Sequence, residues 1–382
     1  MAGKALHEVP VILLVGVGDL GSQVLTLLLA RPATSRIVLA GRDGERLRLR
    51  ANLARFSAAS LGIHAEVGSA RMDLWDVDGT AETLARVRPD IIFMGASLQP
   101  WWRITQLPPG AFSELDKARF GPWLPMHLPL VHRLMQAVRA SGVPAKVVNA
   151  AFPDAVGPVL ATAGLAPDLG IGNVANLVPG LTHAIAHQLD VSPPQVELRL
   201  VTQHFVSYNA TRTGSADPAH YHYSSRIDGR HRADVIDDRA VFAQLNGPLQ
   251  REGGREGQLL TAASAVQVLT AMATNSDALV HAPSPSGLPG GYPVRIRADA
   301  AVVDLDGQLT LAEAVRINEQ CQRADGIERI TPDGTVTFTE QETDVMRRVL
   351  GYECPSMKLD DATYWADELS HKYREFTQRL GI

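Results

Sequence analysis

Six residues near the start of the chain, Gly16-Val17-Gly18-Asp19-Leu20-Gly21, carry the spacing of a phosphate-cradling turn. The first glycine of such a motif permits a tight bend and the second lets backbone approach a pyrophosphate. The third lets a helix pack closely on a strand. The motif means something only between a strand and a helix. Both are legible here: Val11–Val15 is an apolar run, and Asp19–Ala30 has apolar residues at helical spacing. The unpaired N–H groups and positive dipole end of that helix would face the phosphates. The turn therefore predicts dinucleotide binding, with Gly16, Gly18, Asp19, Leu20 and Gly21 against the cofactor.

The next strand ends in Leu39-Ala40-Gly41-Arg42-Asp43. A carboxylate at the end of this strand accepts from a ribose 2′-hydroxyl in NAD enzymes, whereas an arginine nearby suits a 2′-phosphate. Glycine stands where the carboxylate is expected, and the Arg42 guanidinium follows at once, which favours NADP. The other reading keeps NAD, with Asp43 as the ribose carboxylate shifted along the chain. Arg46–Arg50 lie among leucines on the following helix and read as a solvated face beside that phosphate.

Three further groups could do chemistry. His220 and His222 share one face of a strand, with His231 beyond a turn, a spacing able to ligate a metal. No carboxylate or cysteine supports it, so no metal site is assigned. Tyr208, Asn209 and Arg212 follow His204 closely enough to contact a substrate. Gly287-Leu288-Pro289-Gly290-Gly291-Tyr292 is too rigid for a casual connector, and reads either as a loop reaching the site or as a subunit contact.

The elements that must position these residues alternate regularly at first. Further strands are expected at Arg36–Ala40, Ile63–Val67 with Ala70–Asp73, Ile91–Met94 and Lys146–Asn149. Helices are expected at Gly44–Ser60, Thr80–Val87 and Leu124–Ala140, and Gly95–Pro122 has little periodicity. Strands joined by helices build a parallel sheet through right-handed crossovers. Later the pattern changes: a helix at Asn176–Leu189, a strand at Val196–Val206, strands at Tyr221–Arg226 and Arg232–Ile236 around Asp228-Gly229, and an alanine-rich helix at Leu259–Ala273. Tyr292–Leu305 reads as strand. Thr310 with Glu313 makes a capping box for a helix at Leu311–Arg323. A hairpin around Asp333-Gly334 and a polar helix end the chain. The expected fold class is α/β: an N-terminal doubly wound parallel Rossmann sheet, residues 1–155, and a C-terminal mixed α+β domain, residues 156–382.

Composition bounds the function. The chain has 382 residues, 45% of them apolar and 20% charged, with a net charge of −5. That balance gives no reason to expect a nucleic-acid partner. No run approaches transmembrane length, and the first strand begins too early for a signal segment. The two cysteines, Cys321 and Cys354, stand far apart, which fits a reducing cytoplasm rather than a disulfide framework.

In the order of its segments the chain resembles the lactate/malate dehydrogenase superfamily across most of its length. Gly95-Ala96 leads through Pro100-Trp101-Trp102 to Arg103, as a strand and active-site loop do in that family. Val147-Val148-Asn149 is followed by Pro153-Asp154, then Ile171-Gly172 and Asn176-Leu177. Asp190-Val191-Ser192-Pro193 and Val196–Thr202 run into Gln203-His204, and Thr261–Ala273 matches a helix before the last sheet. The resemblance implies that Gly95 and Ala96 contact the cofactor and that Asn149 lies beside the nicotinamide. It makes Arg103 a substrate-orienting residue and His204 the proton donor and acceptor, a role for which imidazole titrates in the right range. It also implies a homodimer or homotetramer.

Two departures follow. The family's aspartate and arginine, which orient the histidine and clamp a substrate carboxylate, align with Val178-Pro179-Gly180-Leu181, which supplies neither. Trp101 and Trp102 are added before Arg103, either as core or as walls of a pocket for a larger, flatter or more apolar substrate. The expected activity is reversible reduction of the carbonyl of a small, non-standard substrate by NADPH, as a dehydrogenase or reductase. The alternatives are an imine- or opine-type reductase and a non-catalytic NADP sensor.

Overall fold

The computed structural model describes residues 9–31, 35–231, 236–297 and 300–382. Strands β1 (Val11–Val15), β2 (Arg36–Gly41), β3 (Val67–Arg71), β4 (Ile91–Met94), β5 (Lys146–Asn149) and β6 (Leu169–Gly170) form one sheet in the order β3-β2-β1-β4-β5-β6. Every pairing in it is parallel. Helices cover both faces, and so Ile12, Leu13, Leu14, Ile92, Phe93 and Met94 are all wholly buried. Helices α1 (Asp19–Leu29), α2 (Gly44–Ser60) and α3 (Val77–Val87) return the chain between the first strands. Between β4 and β5 come α4 (Pro109–Leu115) and α5 (Leu128–Ser141), and α6 (Pro153–Ala161) joins β5 to β6. Because β1 pairs with both β2 and β4, the winding reverses there and a crevice opens at the carboxyl ends of β1 and β4.

The chain continues through α7 (Val174–Leu189), β7 (Val196–Val201), α8 (His204–Thr213), β8 (His222–Ile227), β9 (Arg230–His231), α9 (Asp238–Gln244) and α10 (Gln258–Thr274). It ends with β10 (Leu279–Pro283), β11 (Gly291–Ile296), β12 (Ala301–Val303), α11 (Leu311–Ala324), β13 (Ile327–Ile330), β14 (Val336–Phe338), α12 (Glu340–Leu350), β15 (Ser356–Met357) and α13 (Ala362–Arg379). These strands make three small antiparallel sheets, β7-β8-β9, β10-β11-β12 and β13-β14-β15. The two halves share apolar core: Val24, Leu25 and Leu29 of α1 pack with Ala262, Ala265, Val266 and Leu269 of α10. No described helix is long and apolar enough to cross a membrane.

Several expectations shift. The strand expected to run to Val206 ends at Val201, because Gln203 turns the chain and caps α8 with its own side chain. The strand expected across Tyr292–Leu305 is the pair β11 and β12. The third strand is confined to Val67–Arg71. The helix expected from Leu124 begins at Leu128, after a 3-10 turn at Gly121–Met126 whose Pro125 disfavours α-helical backbone at Leu124. Residue 155 lies inside α6, and β6 beyond it still belongs to the parallel sheet. The capping box at Thr310 and Glu313 is formed. Asp228 and Gly229 both take positive φ, as a two-residue hairpin turn requires. The strand expected at Arg232–Ile236 lies, except for Ile236, outside the described residues.

Candidate active site

A cavity of about 570 Å³ occupies the crevice at the carboxyl edge of the sheet. Its nucleotide side is built from the turn after β1 (Gly16, Gly18, Asp19, Leu20) and the residues after β4 (Gly95, Ala96, Ser97). Gly16 holds φ +85°, and a Cβ there would lie 2.7 Å from the Ala96 nitrogen. A Cβ on Gly21 would lie 2.3 Å from the Gly16 oxygen, so this position fastens helix to turn. Gly18 has open space around its missing Cβ. It is also the N-cap of α1 and supplies no side-chain cap, so the helix presents unpaired N–H groups to the cavity. These features fit a pyrophosphate.

At the end of β2 the Asp43 carboxylate accepts the Arg46 backbone N–H at 3.0 Å and caps α2. Arg42 is exposed, and the Arg71 side chain reaches the Arg42 backbone carbonyl oxygen with Nε at 3.3 Å. Arg50 instead points inward, donating to Ser22 Oγ at 2.8 Å and to the Val17 oxygen, where it pins the glycine turn. Arg48 pairs with Glu45 on the surface.

Across the cavity stands His204, the first residue of α8. Its Nδ1 lies 2.9 Å from Asp325 Oδ2. Asp325 caps the end of α11 and is buried behind the imidazole, and Gln203 Nε2 donates to the same oxygen at 3.2 Å. Asp154 Oδ1 accepts the His204 backbone N–H at 3.0 Å, and Asn173 donates its amide to Asp154. Burial opposes a charge on His204, but Asp325, by charge and hydrogen bond, and Asp154 outweigh it, so the imidazole pKa is raised. Burial pushes Asp154 up to about 6, against the pull of His204 and of Asn173. Phe152 (φ +41°) and Asn173 (φ +50°), which both line the cavity, hold left-handed backbone that costs energy without glycine.

The walls near His204 are aromatic. Phe120 lies 4.6 Å from its ring centroid, Phe152 5.9 Å and Tyr208 5.9 Å. Trp101 meets Phe120 at 4.8 Å, and His127 meets Phe120 from another side at 5.0 Å. His127 is pushed down to about 3 by burial, with the charge on His204 acting in the same direction. Asp116 accepts from the Tyr208 hydroxyl and from Arg212 Nη1 at 2.9 Å, while the Arg212 guanidinium stacks on Tyr208 at 4.0 Å. Burial first, then Asp116, raises the Tyr208 pKa. Arg212 is therefore committed to Asp116. Arg103 lines the cavity from the 3-10 turn Trp101–Gln106, and its guanidinium has no hydrogen-bond partner among the described residues. Arg255 pairs with Asp19 at 2.7 Å and lies over Trp102, which brings the loop before α10 across the nucleotide side.

Other candidates fall elsewhere. Asn149 is not among the cavity residues: it is buried, and its amide closes a turn by donating to the Ala151 oxygen and accepting the Ala151 N–H. Asn209 ties down the loop after α8 through the Ser215 and Asp217 oxygens. His231 meets Asp306 at 3.3 Å, and no group of three metal-ligating side chains forms among the described residues. Gly287–Tyr292 packs behind the site: a Cβ on Gly290 would lie 2.3 Å from the Asn318 Cγ, and the Gly290 N–H donates to the Asp154 oxygen. Asp325, Asn173 and His127 gave no sequence signal, and Asp154 stood in the Pro-Asp phrase without a role.

No family model matches the chain, and no curated protein matches its sequence. Solved structures do. Lactate dehydrogenase from Eimeria maxima with NADH and oxamate superposes with a TM-score of 0.55 at 15% identity, over 85% of this chain and 94% of that one. This chain has the lactate/malate dehydrogenase fold. Malate dehydrogenase from Aeropyrum pernix gives a TM-score of 0.54 at 17% identity, covering 81% and 95% of the two chains. Lactate dehydrogenase from Cryptosporidium parvum, complexed with lactic acid and cofactor, gives 0.52 at 15%, covering 83% and 96%. Within this dehydrogenase fold, the carboxylate beside His204 is supplied by Asp325, 121 residues further along the chain. The stretch Val178–Leu181 could not supply it: Leu181 is wholly buried in apolar core, and a Cβ on Gly180 would lie 2.7 Å from Leu245.

Proposed function

We propose that this protein is a nicotinamide-dependent dehydrogenase that reversibly reduces a carbonyl, with NADP as its cofactor. The observation that carries the reading is the buried His204–Asp325 pair, facing the same cavity as the glycine turn. When bound, the cofactor supplies or accepts hydride. Asp325 fixes the imidazole through Nδ1 and leaves Nε2 to exchange a proton with the substrate oxygen. Against burial, the carboxylates of Asp325 and Asp154 raise the His204 pKa and so favour the charged form, which a proton donor for reduction needs. Arg103 orients the substrate, while Asn149 supports the turn after β5. A protein that only sensed the cofactor would not need this dyad.

Support for NADP comes from Asp43, whose carboxylate is engaged in capping α2, and from Arg42 and Arg71 beside it. The test is a fluorescence titration with NADPH and NADH. NADPH binds more tightly, and Arg42→Ala weakens NADPH by about tenfold while leaving NADH unchanged, the size of one lost charge-assisted hydrogen bond. Equal affinity for both nucleotides refutes NADP preference. A panel of carbonyl compounds, with and without amines, then separates C=O from C=N reduction by NADPH consumption. Two free buried thiols suit a reducing compartment such as the cytoplasm. Self-association into a dimer or tetramer is supported by Leu49, Leu53 and Phe56, exposed together along one face of α2.

A further inference from the structure

Among the described residues, His127 is the one histidine other than His204 that lines the cavity. Its ring is 95% withdrawn from solvent at 5% exposure, yet Nδ1 has no hydrogen-bond partner and neither ring nitrogen bonds a described residue. Nδ1 is closed off even from a water-sized group, so the nitrogen left for a ligand in the cavity is Nε2, which no described residue bonds. The ring is held by Phe120 at 5.0 Å and Phe152 at 6.1 Å, the same two phenylalanines that flank His204 at 4.6 and 5.9 Å. Trp101 and Tyr208 complete these walls. Burial keeps the imidazole neutral throughout the physiological range, so it presents one donor and one acceptor rather than a charge. The aromatic faces favour a flat apolar body, and Arg212 on this side is already paired with Asp116.

We propose that His127 determines substrate specificity by hydrogen-bonding a second, uncharged polar group of an aromatic carbonyl compound whose ring packs against the wall made by Phe120 and Phe152, which touch each other at 4.1 Å. The substrate class is thus an aryl ketone, aldehyde or the matching alcohol that carries a hydroxyl or similar neutral group, in place of a small keto acid. The inference rests on reading this cavity as the substrate site, so its test measures binding without turnover.

The probes are acetophenone, its meta- and para-hydroxylated forms, and oxaloacetate, titrated by NMR against the protein with and without NADPH. The better hydroxylated isomer binds roughly three- to tenfold more tightly than acetophenone, the range of one neutral hydrogen bond in a desolvated site. Oxaloacetate binds more weakly than any of the three. In His127→Phe the hydroxyl preference falls to within about twofold while acetophenone still binds, and His127→Asn, which keeps a donor and an acceptor, restores part of it. A wild-type protein indifferent to the hydroxyl, or a preference that survives in both variants, overturns the proposal. NADPH binding measured in the same samples isolates the cofactor reading: if it holds and the hydroxyl preference is absent, only the role of His127 falls.

Discussion

Replacing Asp325 with asparagine keeps the size of the side chain and removes the charge that sustains His204 as an acid. The carboxylate side chain is 3% exposed and the imidazole 13%, so solvent does little to compensate. Breaking one partner of a buried ion pair costs about 3–5 kcal/mol. If the lower figure falls on the protonated imidazole, about 3 kcal/mol lowers its pKa by roughly two units, which removes up to about a hundredfold of that form above the wild-type value and less below it. General acid catalysis is worth about 10²–10⁴ in rate, so the loss fits within what the group supplies. The expected result is a fall in kcat/KM for carbonyl reduction that grows with pH toward roughly a hundredfold, with NADPH affinity within about twofold of wild type. Affinity is spared because Asp325 does not line the cavity. The pH profile gives the sharper reading. Reduction needs imidazolium, so wild-type activity falls as pH rises through the raised His204 value. In Asp325→Asn burial is opposed by Asp154 alone, and that limb moves to lower pH. Steady-state NADPH oxidation across pH, with Asp325→Glu as the conservative variant, makes the measurement. A variant with wild-type kcat/KM and an unmoved limb would sink the assignment of His204 and Asp325 as an acid–base pair.

The glycine turn separates folding from binding. Gly21→Ala drives a Cβ into the Gly16 carbonyl and lowers stability by about 2–3 kcal/mol, read as a drop in Tm. Gly18→Val, placed where a side chain has open space, leaves Tm near wild type and abolishes NADPH binding, since the side chain fills the pyrophosphate's approach. Equal effects of the two on Tm would refute the division of roles. Asp154 carries a cost at neutral pH: its carboxyl is raised to about 6, so its contribution to stability is fullest below its ordinary value and is lost as pH rises through 6. Asp154→Asn gives up one of the two accepted hydrogen bonds but also this pH-dependent loss, so its Tm relative to wild type is higher at pH 8 than at pH 4, and thermal melts at the two values decide it.

The nucleotide half of the site was legible because its signals are local. A turn of six residues, a strand before it and a helix after it are decided by neighbours in sequence, and Gly16, Gly18 and Gly21 stand where that reading puts them. Asp43 was less legible, since its spacing alone left two roles open and the cap it forms on α2 depends on how the helix starts. The segment after Val196 was misjudged in the same local terms. Alternating apolar residues continue to Val206, and the chain leaves the strand because Gln203 caps a helix and the His204 N–H is taken by Asp154, 50 residues away.

The sequence by itself determined the parallel sheet, the place of its crevice and the glycine turn beside it, because periodicity and glycine spacing act within a few residues. It also pointed to His204 through the order of its segments. Only the tertiary structure decided what surrounds that histidine. Asp325 arrives from the end of a distant helix, His127 from the start of another, and Phe120 and Phe152 from separate loops, and a carboxylate acts on an imidazole through space regardless of the chain between them. Val178–Leu181 therefore read as a missing aspartate, while the charge had moved to a different element that reaches the same point.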